Sequence, residues 1–522
     1  MVDCGAVIGK KGGTLSTSQG GSSTATPTGL SDSAENRVPQ TLPAGLESVA
    51  AVFLTHAHTD HLGRLPLLVE QGFAGPIYMT EATAALAAPM LKAEARYDRV
   101  QPRHWTWSKA ARARAESGHR SLFLHWRECK YRKELASADI QEATCSLREM
   151  VDRLAGPSSR VKVAVCPECA EDQVAAVLHL ARTMKYGEPT EVGSGVRVTF
   201  LDAGHIPGSA SVLFEVALDG RKRRVLFSGD LGNRLSPILT PPRPAPPVDA
   251  AFVECTYGPI CRKASVSQQP AEFRRAVGET IGCGGVAWIP SFSLDRTQKI
   301  LYELHLAQRD GLLPERVPIY CPSPTAKEAT TLYKEHRRGG WFSPAIEADA
   351  DAFSPREVRG TVPAGRRLPR PCIIISTSDI LIAAWMRRLL TDLLPEPSTG
   401  VFLVGYQDPD TAGELLLHGA TKLDIDGHSV PVRAKVHSFS CFSGHADAGE
   451  VDAWLANVPR TATIVLVHGD PKELKGRAEQ LRGQGRQRVI IAKPGEPMSL
   501  EADDEKGNAK KASAEAQGAV RE

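Results

Sequence analysis

Nowhere does the 522-residue chain carry a run of about eighteen apolar residues, the length a helix needs to cross a bilayer. Its first residues also lack the charged-then-apolar pattern of a secretory signal. These absences argue against a membrane partner and for a cytoplasmic protein. Net charge is scarce as well: 63 Lys and Arg against 60 Asp and Glu leave +3. Composition alone therefore does not announce a nucleic-acid binder, and local charge must carry any such role. The 11 cysteines are odd in number and lack framework spacing. That fits buried thiols in a reducing compartment better than a disulfide scaffold. Nor does any base-specific recognition module stand at either end. What is present is a hydrophobic content of 42%, enough over this length for two or three packed domains.

Six residues dominate what is there: His56-Ala57-His58-Thr59-Asp60-His61. They follow an apolar run, Val49-Ala50-Ala51-Val52-Phe53-Leu54, with strand character. A strand ending in imidazoles and a carboxylate delivers metal ligands to its C-terminal end. A helix is expected over 62–70, capped by Thr59 or Asp60. Residues two, four and five apart cannot all aim at one point, so two ions side by side are expected. His56 and His58 serve one, Asp60 and His61 the other. Three imidazoles and a carboxylate within six residues would be costly to leave unpaired in a core.

Further along, residues 10–35 are rich in Gly, Ser and Thr and read as a flexible loop. The stretch 92–165 opens with a basic run holding Arg103, Lys109, Arg112, Arg114, Arg127 and Lys130 among others. Trp105, Trp107, Trp126 and Tyr131 are interleaved with these cations. Two readings stand side by side: a single-strand contact surface that neutralises phosphates and stacks bases, or a solvated helical insertion. Cys166 and Cys169 have C-x-x-C spacing, with Cys129 and Cys145 upstream. Four thiolates there would close a structural zinc site, against the alternative of ordinary thiols.

Strands are expected over 196–201, 211–217 and 224–227. The first and third end at Gly204-His205 and Ser228-Gly229-Asp230, one candidate ligand each. A buried strand then ends in Glu254. Strand-helix alternation follows from 286 to 404, the pattern of an α/β domain with a parallel sheet. His437 to Asp447, which contains Ser443 and His445, precedes a short helix, and a strand over 462–467 delivers His468. The tail past 498 has almost no large apolar residues and reads as disordered.

With these motifs in order, the chain resembles the β-CASP group of the metallo-β-lactamase superfamily, which includes messenger-RNA cleavage factors and J-type ribonucleases. The resemblance rests on residues 56–61, Gly204-His205, Ser228-Gly229-Asp230, Glu254 to Gly258, Pro290-Ser291-Phe292-Ser293, Gly405-Tyr406-Gln407, Phe442 to Asp447 and Val467-His468-Gly469. It implies an α/β fold, a metallo-β-lactamase αββα sandwich with an inserted α/β β-CASP cap domain. The expected division is 1–258 for the first part of the sandwich, including the loop 10–35 and the basic insertion 92–165. The cap follows over 259–436, the sandwich's C-terminal part over 437–498, and the disordered tail over 499–522. Relatives carry an additional strand pair upstream of Asp3-Cys4-Gly5. The chain is therefore expected to be truncated or its start codon assigned late, which leaves one sheet edge exposed.

Carried over residue by residue, the resemblance makes His56, His58 and His205 ligands of the first ion. Asp60, His61 and His468 become ligands of the second, and Asp230 the bridging carboxylate. Asp60, Glu254 and His445 are the catalytic candidates. A histidine at the position of His468 goes with RNA-cleaving members of the group, which points to RNA. The chain departs from the group's pattern at Pro259-Ile260-Cys261-Arg262, at residues 376–381, and in carrying Asp408 and Asp410.

An imidazole-rich donor set with a few carboxylates favours Zn²⁺, two ions per chain. Two ions about 3.5 to 4 Å apart share a hydroxide that attacks phosphorus in line. His445 is the candidate general acid for the departing ribose oxygen, and Glu254 the group that orients it. For RNA contact the candidates are Arg296, Arg262 and Ser443. Arg296 and the amides opening its helix suit a backbone phosphate, the other reading being a structural arginine. The expected partner is single-stranded RNA, without a membrane, and a homodimer stays open. Two alternatives accompany this reading: a small-molecule ester or phosphodiester hydrolase on the same fold, and a catalytically inactive RNA-processing scaffold.

Overall fold

A computed structural model describes residues 1–3, 49–100, 167–218, 221–363, 368–376, 384–407, 411–493 and 496. The loop 10–35, nearly all of the basic insertion, residues 377–381, Asp408, Asp410 and the tail past 498 lie outside the described residues. So do Cys129, Cys145 and Cys166. Cys169 falls in the helix Pro167–His179, of which only the backbone is described at that position.

Two sheets face each other in the first domain. One is three-stranded and parallel, formed by Val52–Phe53, Ile77–Thr80 and Ala181–Met184. The other has seven strands. Its order across the sheet is Arg488–Ile491, Thr463–Val467, Ala250–Glu254, Arg221–Phe227, Ala210–Leu218, Val196–Asp202, Thr190–Gly193. The first four pair in parallel and the rest are antiparallel. Phe53, Met184, Val198, Phe200 and Val212 fill the space between the sheets. Helices cover both outer faces. Leu65, Leu68, Leu86 and Val177 pack beneath the small sheet, and Val451, Trp454, Ala478 and Leu481 on the large one. The result is the four-layered αββα sandwich that the family resemblance implies.

The inserted domain has a six-stranded, wholly parallel sheet. Its order is Val358–Arg359, Ile319–Tyr320, Cys372–Ser376, Val286–Pro290, Gly400–Leu403, Lys435–Ser438. Both faces are covered, which is why these strands read as continuous apolar runs. In Val286–Pro290, Ala287 and Ile289 enter one core while Val286 and Trp288 enter the other. The edge strand Lys435–Ser438 straddles the boundary expected at 436, so the chain completes the cap sheet before it returns to the sandwich. The two domains share an apolar cluster. Leu294, Tyr302, Ala329, Tyr333, Phe342 and Phe353 of the cap pack with Leu54, Leu62, Leu86 and Met90.

One local expectation is corrected. The helix over 62–70 is two short helices, Thr59–Leu62 and Leu65–Glu70. Pro66 lacks an amide hydrogen and its ring would meet the carbonyl four residues back, at Leu62. Neither Thr59 nor Asp60 caps the first turn; His58 occupies the N-cap position and supplies no side-chain hydrogen bond.

Candidate metal centre

Five strand ends and one loop converge on a single point. The Val52–Phe53 strand runs into Leu54 and Thr55 and then the His56 to His61 loop. His205 follows Val196–Asp202, Asp230 follows Arg221–Phe227, Glu254 ends its strand, and His468 follows Thr463–Val467. His445 stands three residues before the helix Ala448–Trp454. His468 has φ 51°, a strained conformation of the kind that clusters where geometry matters more than local comfort.

One donor atom each from His56, His58, His205 and Asp230 lies within 4.8 Å of the others, and the same holds for Asp60, His61 and His468. Asp230 faces both sets with separate oxygens. Its Oδ2 is 3.5 Å from Nε2 of His56 and of His205. Its Oδ1 is 3.3 Å from His61 Nε2 and 3.6 Å from His468 Nδ1. Asp60 Oδ2 closes the second set, 3.3 Å from His468 Nε2. His445 belongs to a third cluster with Asp230 and His468.

The rings are held from behind. His61 Nδ1 donates to Asp3 Oδ2 at 2.7 Å. Thr55 Oγ1 donates to the same carboxylate oxygen at 2.8 Å and lies 3.0 Å from His56 Nδ1, which donates to it. His205 Nδ1 donates to the Gly444 carbonyl at 3.0 Å. Only glycine fits at 444, since a Cβ there would come within 2.8 Å of the His205 ring. Glu254 accepts from His445 Nδ1 at 3.0 Å and from the Leu231 amide at 2.9 Å. Thr256 Oγ1 bridges between His445 Nδ1 at 3.3 Å and His468 Nδ1 at 3.1 Å.

Electrostatics fit a cation on both sides. Burial holds His56 and His205 well below the ordinary imidazole range, so they stay neutral as ligands must. Burial also works against ionised Asp230, yet His468, His61 and His56 outweigh it and keep the carboxyl well below its usual range. Asp230 raises His468 to about 9, against burial and with help from Asp60. His61 is raised by Asp230 and Asp3 in spite of its burial. His61 Nε2 and Asp230 Oδ1 are buried without a hydrogen-bond partner among the described residues. Such orphaned atoms are rare and point to an ion as the absent partner. The neutral imidazoles and ionised carboxylates suit zinc.

Two of the expected RNA contacts are turned to other tasks. Arg262 is 6% exposed, pairs with Glu450 at 3.0 Å, donates to the His445 carbonyl and stacks on the Tyr257 ring. An arginine so engaged braces the His445 loop rather than meeting solvent. The amides opening the Arg296 helix are also taken: Arg296 N donates to Leu294 O and Thr297 N to Phe292 O. The phosphate cradle expected there is therefore filled by the loop's own carbonyls. Arg296 itself lies over the Phe292 ring. Ser443 is half-buried, its Oγ accepting from the His445 amide at 3.3 Å.

Sequence reasoning missed Asp3, Thr55, Thr256 and Asn233. Asn233 holds the His445 loop by donating to the carbonyls of Ser443 and His445. Asp3 alone carried a signal, as a carboxylate directly after an apolar residue at a strand end, the same grammar as His205 and Asp230. The others are ordinary residues given their task by contacts from 52 to 212 positions away or from the next residue.

Fold and donor set together define a metallo-hydrolase built on the metallo-β-lactamase sandwich. Residues 21–254 match the metallo-β-lactamase superfamily, residues 297–416 the Beta-Casp domain, and residues 429–492 the Zn-dependent metallo-hydrolase RNA specificity domain. The chain is 31% identical over 465 residues to Ribonuclease TTHA0252 of Thermus thermophilus, covering 87% of this chain and 89% of that protein. It is 26% identical over 431 residues to an RNase J-like protein of Methanocaldococcus jannaschii, covering 81% and 82%. With cleavage and polyadenylation specificity factor subunit 3-II of Arabidopsis thaliana the identity is 25% over 468 residues, 87% of this chain and 63% of the plant protein. The chain belongs to the β-CASP family of metallo-β-lactamase-fold hydrolases.

Proposed function

We propose that this protein is a zinc-dependent ribonuclease that hydrolyses phosphodiester bonds in single-stranded RNA, with two zinc ions per chain. The observation that carries this reading is Asp230, whose two oxygens face two separate histidine sets across one buried carboxylate. His56, His58 and His205 would hold one ion and Asp60, His61 and His468 the other, with Asp230 shared between the two sets. The names of the relatives support RNA as the substrate. Zinc held there would supply Lewis acidity, lowering the pKa of water and neutralising charge on the phosphoryl group.

The chain's own residues do the rest. The P–O bond to the ribose oxygen breaks as the new P–O bond forms, and the departing alkoxide needs a proton. His445 is the group assigned to give it. Glu254 is held in its ionised form, because His445 outweighs the burial that would protonate it. It accepts the Nδ1 hydrogen and leaves Nε2 as the nitrogen that carries the catalytic proton. Asp60 anchors His468 and completes the second set. The division into a sandwich over 1–258 and 437–498, with a cap over 259–436 whose edge strand reaches Ser438, accords with the sheet orders. No helix among the described residues is long and apolar enough to cross a membrane. A cytoplasmic location, as monomer or homodimer, belongs to the same reading.

End-labelled single-stranded RNA and a generic ester, each with and without chelator, test it. The expected result is a product ladder from RNA that chelator abolishes and added zinc restores. Turnover of the ester with RNA left intact would instead favour a small-molecule hydrolase. Failure to turn over either would favour an inactive scaffold, a reading at odds with an intact donor set.

A further inference from the structure

The cap carries, at the C-terminal edge of its sheet, a feature that the metal chemistry does not use. Strand Val286–Pro290 continues into Ser291-Phe292-Ser293-Leu294-Asp295, and strand Gly400–Leu403 into Val404-Gly405-Tyr406. The two strands are parallel neighbours, paired Gly400 with Ala287 and Val401 with Trp288. Both loops therefore leave the same C-terminal edge of the cap sheet, the side on which parallel sheets hold their ligands.

Two aromatic rings stand open at this edge: Phe292 is 43% exposed and Tyr406 71% exposed. Arg296 lies between the two loops. Its guanidinium carbon is 4.4 Å from the Phe292 ring centroid. The guanidinium also presses on Gly405, where a Cβ would come within 2.2 Å of Nη1. Any residue but glycine at 405 would displace the arginine. One face of Phe292 is thus backed by a cation, and its exposure belongs to the other face.

The loop beneath is clamped. Asp295 has φ 68° and ψ −56°, and the Arg296 amide donates across it to Leu294 O at 2.9 Å. This is a strained, positive-φ γ-turn, which persists only where its surroundings enforce it. The enforcing contacts are an ion pair from buried Lys299 at 2.5 Å and a hydrogen bond from Tyr333 at 3.3 Å, both to the Asp295 carboxylate. Thr297 adds a bond from its Oγ1 to the Phe292 carbonyl at 2.6 Å. The same loop borders the sandwich, since Leu294 belongs to the apolar cluster that also holds Leu54 and Leu62 on either side of the histidine loop. Three residues span at most about 11 Å, so the Phe292 backbone stands within that reach of Asp295.

We propose that Phe292, backed by Arg296, together with Tyr406 forms a stacking site for one unpaired base of the substrate RNA. The proposal rests on the ribonuclease reading and adds to it how the strand is recognised. A π face accepts any base, so the site selects no sequence. It selects single strands, because a base within a duplex already has both faces covered. A clamped ring loses little freedom on binding, which turns more of the stacking energy into affinity.

Steady-state cleavage by the zinc-loaded full chain tests the proposal, using end-labelled single-stranded oligoribonucleotides and a series in which one abasic position steps along the strand. Phe292→Ala is expected to raise KM about tenfold, with a much smaller change in kcat, and Phe292→Tyr to restore KM. In the wild type one abasic position should raise KM by a similar factor, and on that substrate Phe292→Ala should add nothing further. Zinc content of each variant verifies that the site is assembled. An unchanged KM for Phe292→Ala, or a penalty equal on every abasic substrate, overturns the stacking site while leaving the ribonuclease reading intact. Absence of RNA cleavage by the wild type overturns both.

Discussion

Asp3 holds two rings with one carboxylate. It accepts from His61 directly and from His56 through Thr55, so it orients one ligand from each half of the centre. Asn at this position keeps an acceptor for the Thr55 amide but loses the negative charge that makes His61 a better donor to a metal. Asp3→Asn is expected to weaken zinc binding about tenfold or more, measured by competition with a chromogenic chelator. An unchanged affinity would remove Asp3 from the metal site. His445 answers to a different measurement. His445→Ala should lower turnover on RNA about a hundredfold or more while the zinc content stays at the wild-type level. Parallel loss of zinc and activity would make His445 a ligand through its cluster with Asp230 and His468, rather than a proton donor.

The loop from Phe442 to Asp447 shows how an element is set by parts far from it in sequence. Asp447 caps the helix Ala448–Trp454 in a reciprocal capping box with Glu450. Glu450 in turn holds Arg262, and Arg262 and Asn233 hold the carbonyls around His445. The loop is therefore tied to two other strand ends as well as to its own helix. Removing the arginine leaves Glu450 and the His445 carbonyl short of their partner. Arg262→Ala is expected to destabilise the protein by about 2 kcal/mol in a denaturant melt. The same variant should lower kcat with zinc content unchanged. Loss of RNA affinity with wild-type stability and kcat would restore Arg262 to the surface role first expected of it.

On the scale of the whole molecule, folding and metal binding meet in the same titrations. In the metal-free chain, the pKa of His468 rises from its ordinary 6.5 to about 9, and His61 is raised as well. A raised folded pKa contributes stability that is complete below the ordinary value and is lost as pH climbs through the raised one. Zinc competes for those same nitrogens and must expel their protons to bind. The gain in melting temperature on adding zinc should therefore be larger near about pH 8 than near about pH 6. A gain independent of pH would mean that these histidines do not bind the metal. Cap and sandwich share apolar clusters among the described residues, so the melt is expected to report both domains in one transition.

Most of the architecture was legible because these ligands are written in the same way: a strand, then a histidine or carboxylate at or just past its end. His205, Asp230, Glu254 and His468 all obey that rule, although the strand before Asp230 opens with four basic residues and is apolar only at its end. Strand-helix alternation announced the parallel cap. Local chemistry suffices for such features, since strand burial and turn formation depend on neighbours in the chain. The tertiary structure alone decided that Arg262 turns inward and that Asp3 stands behind two histidines. Each of these outcomes depends on which groups meet across tens to hundreds of residues. A charged side chain takes the partner that folding brings nearest, and no stretch of sequence contains that partner's address.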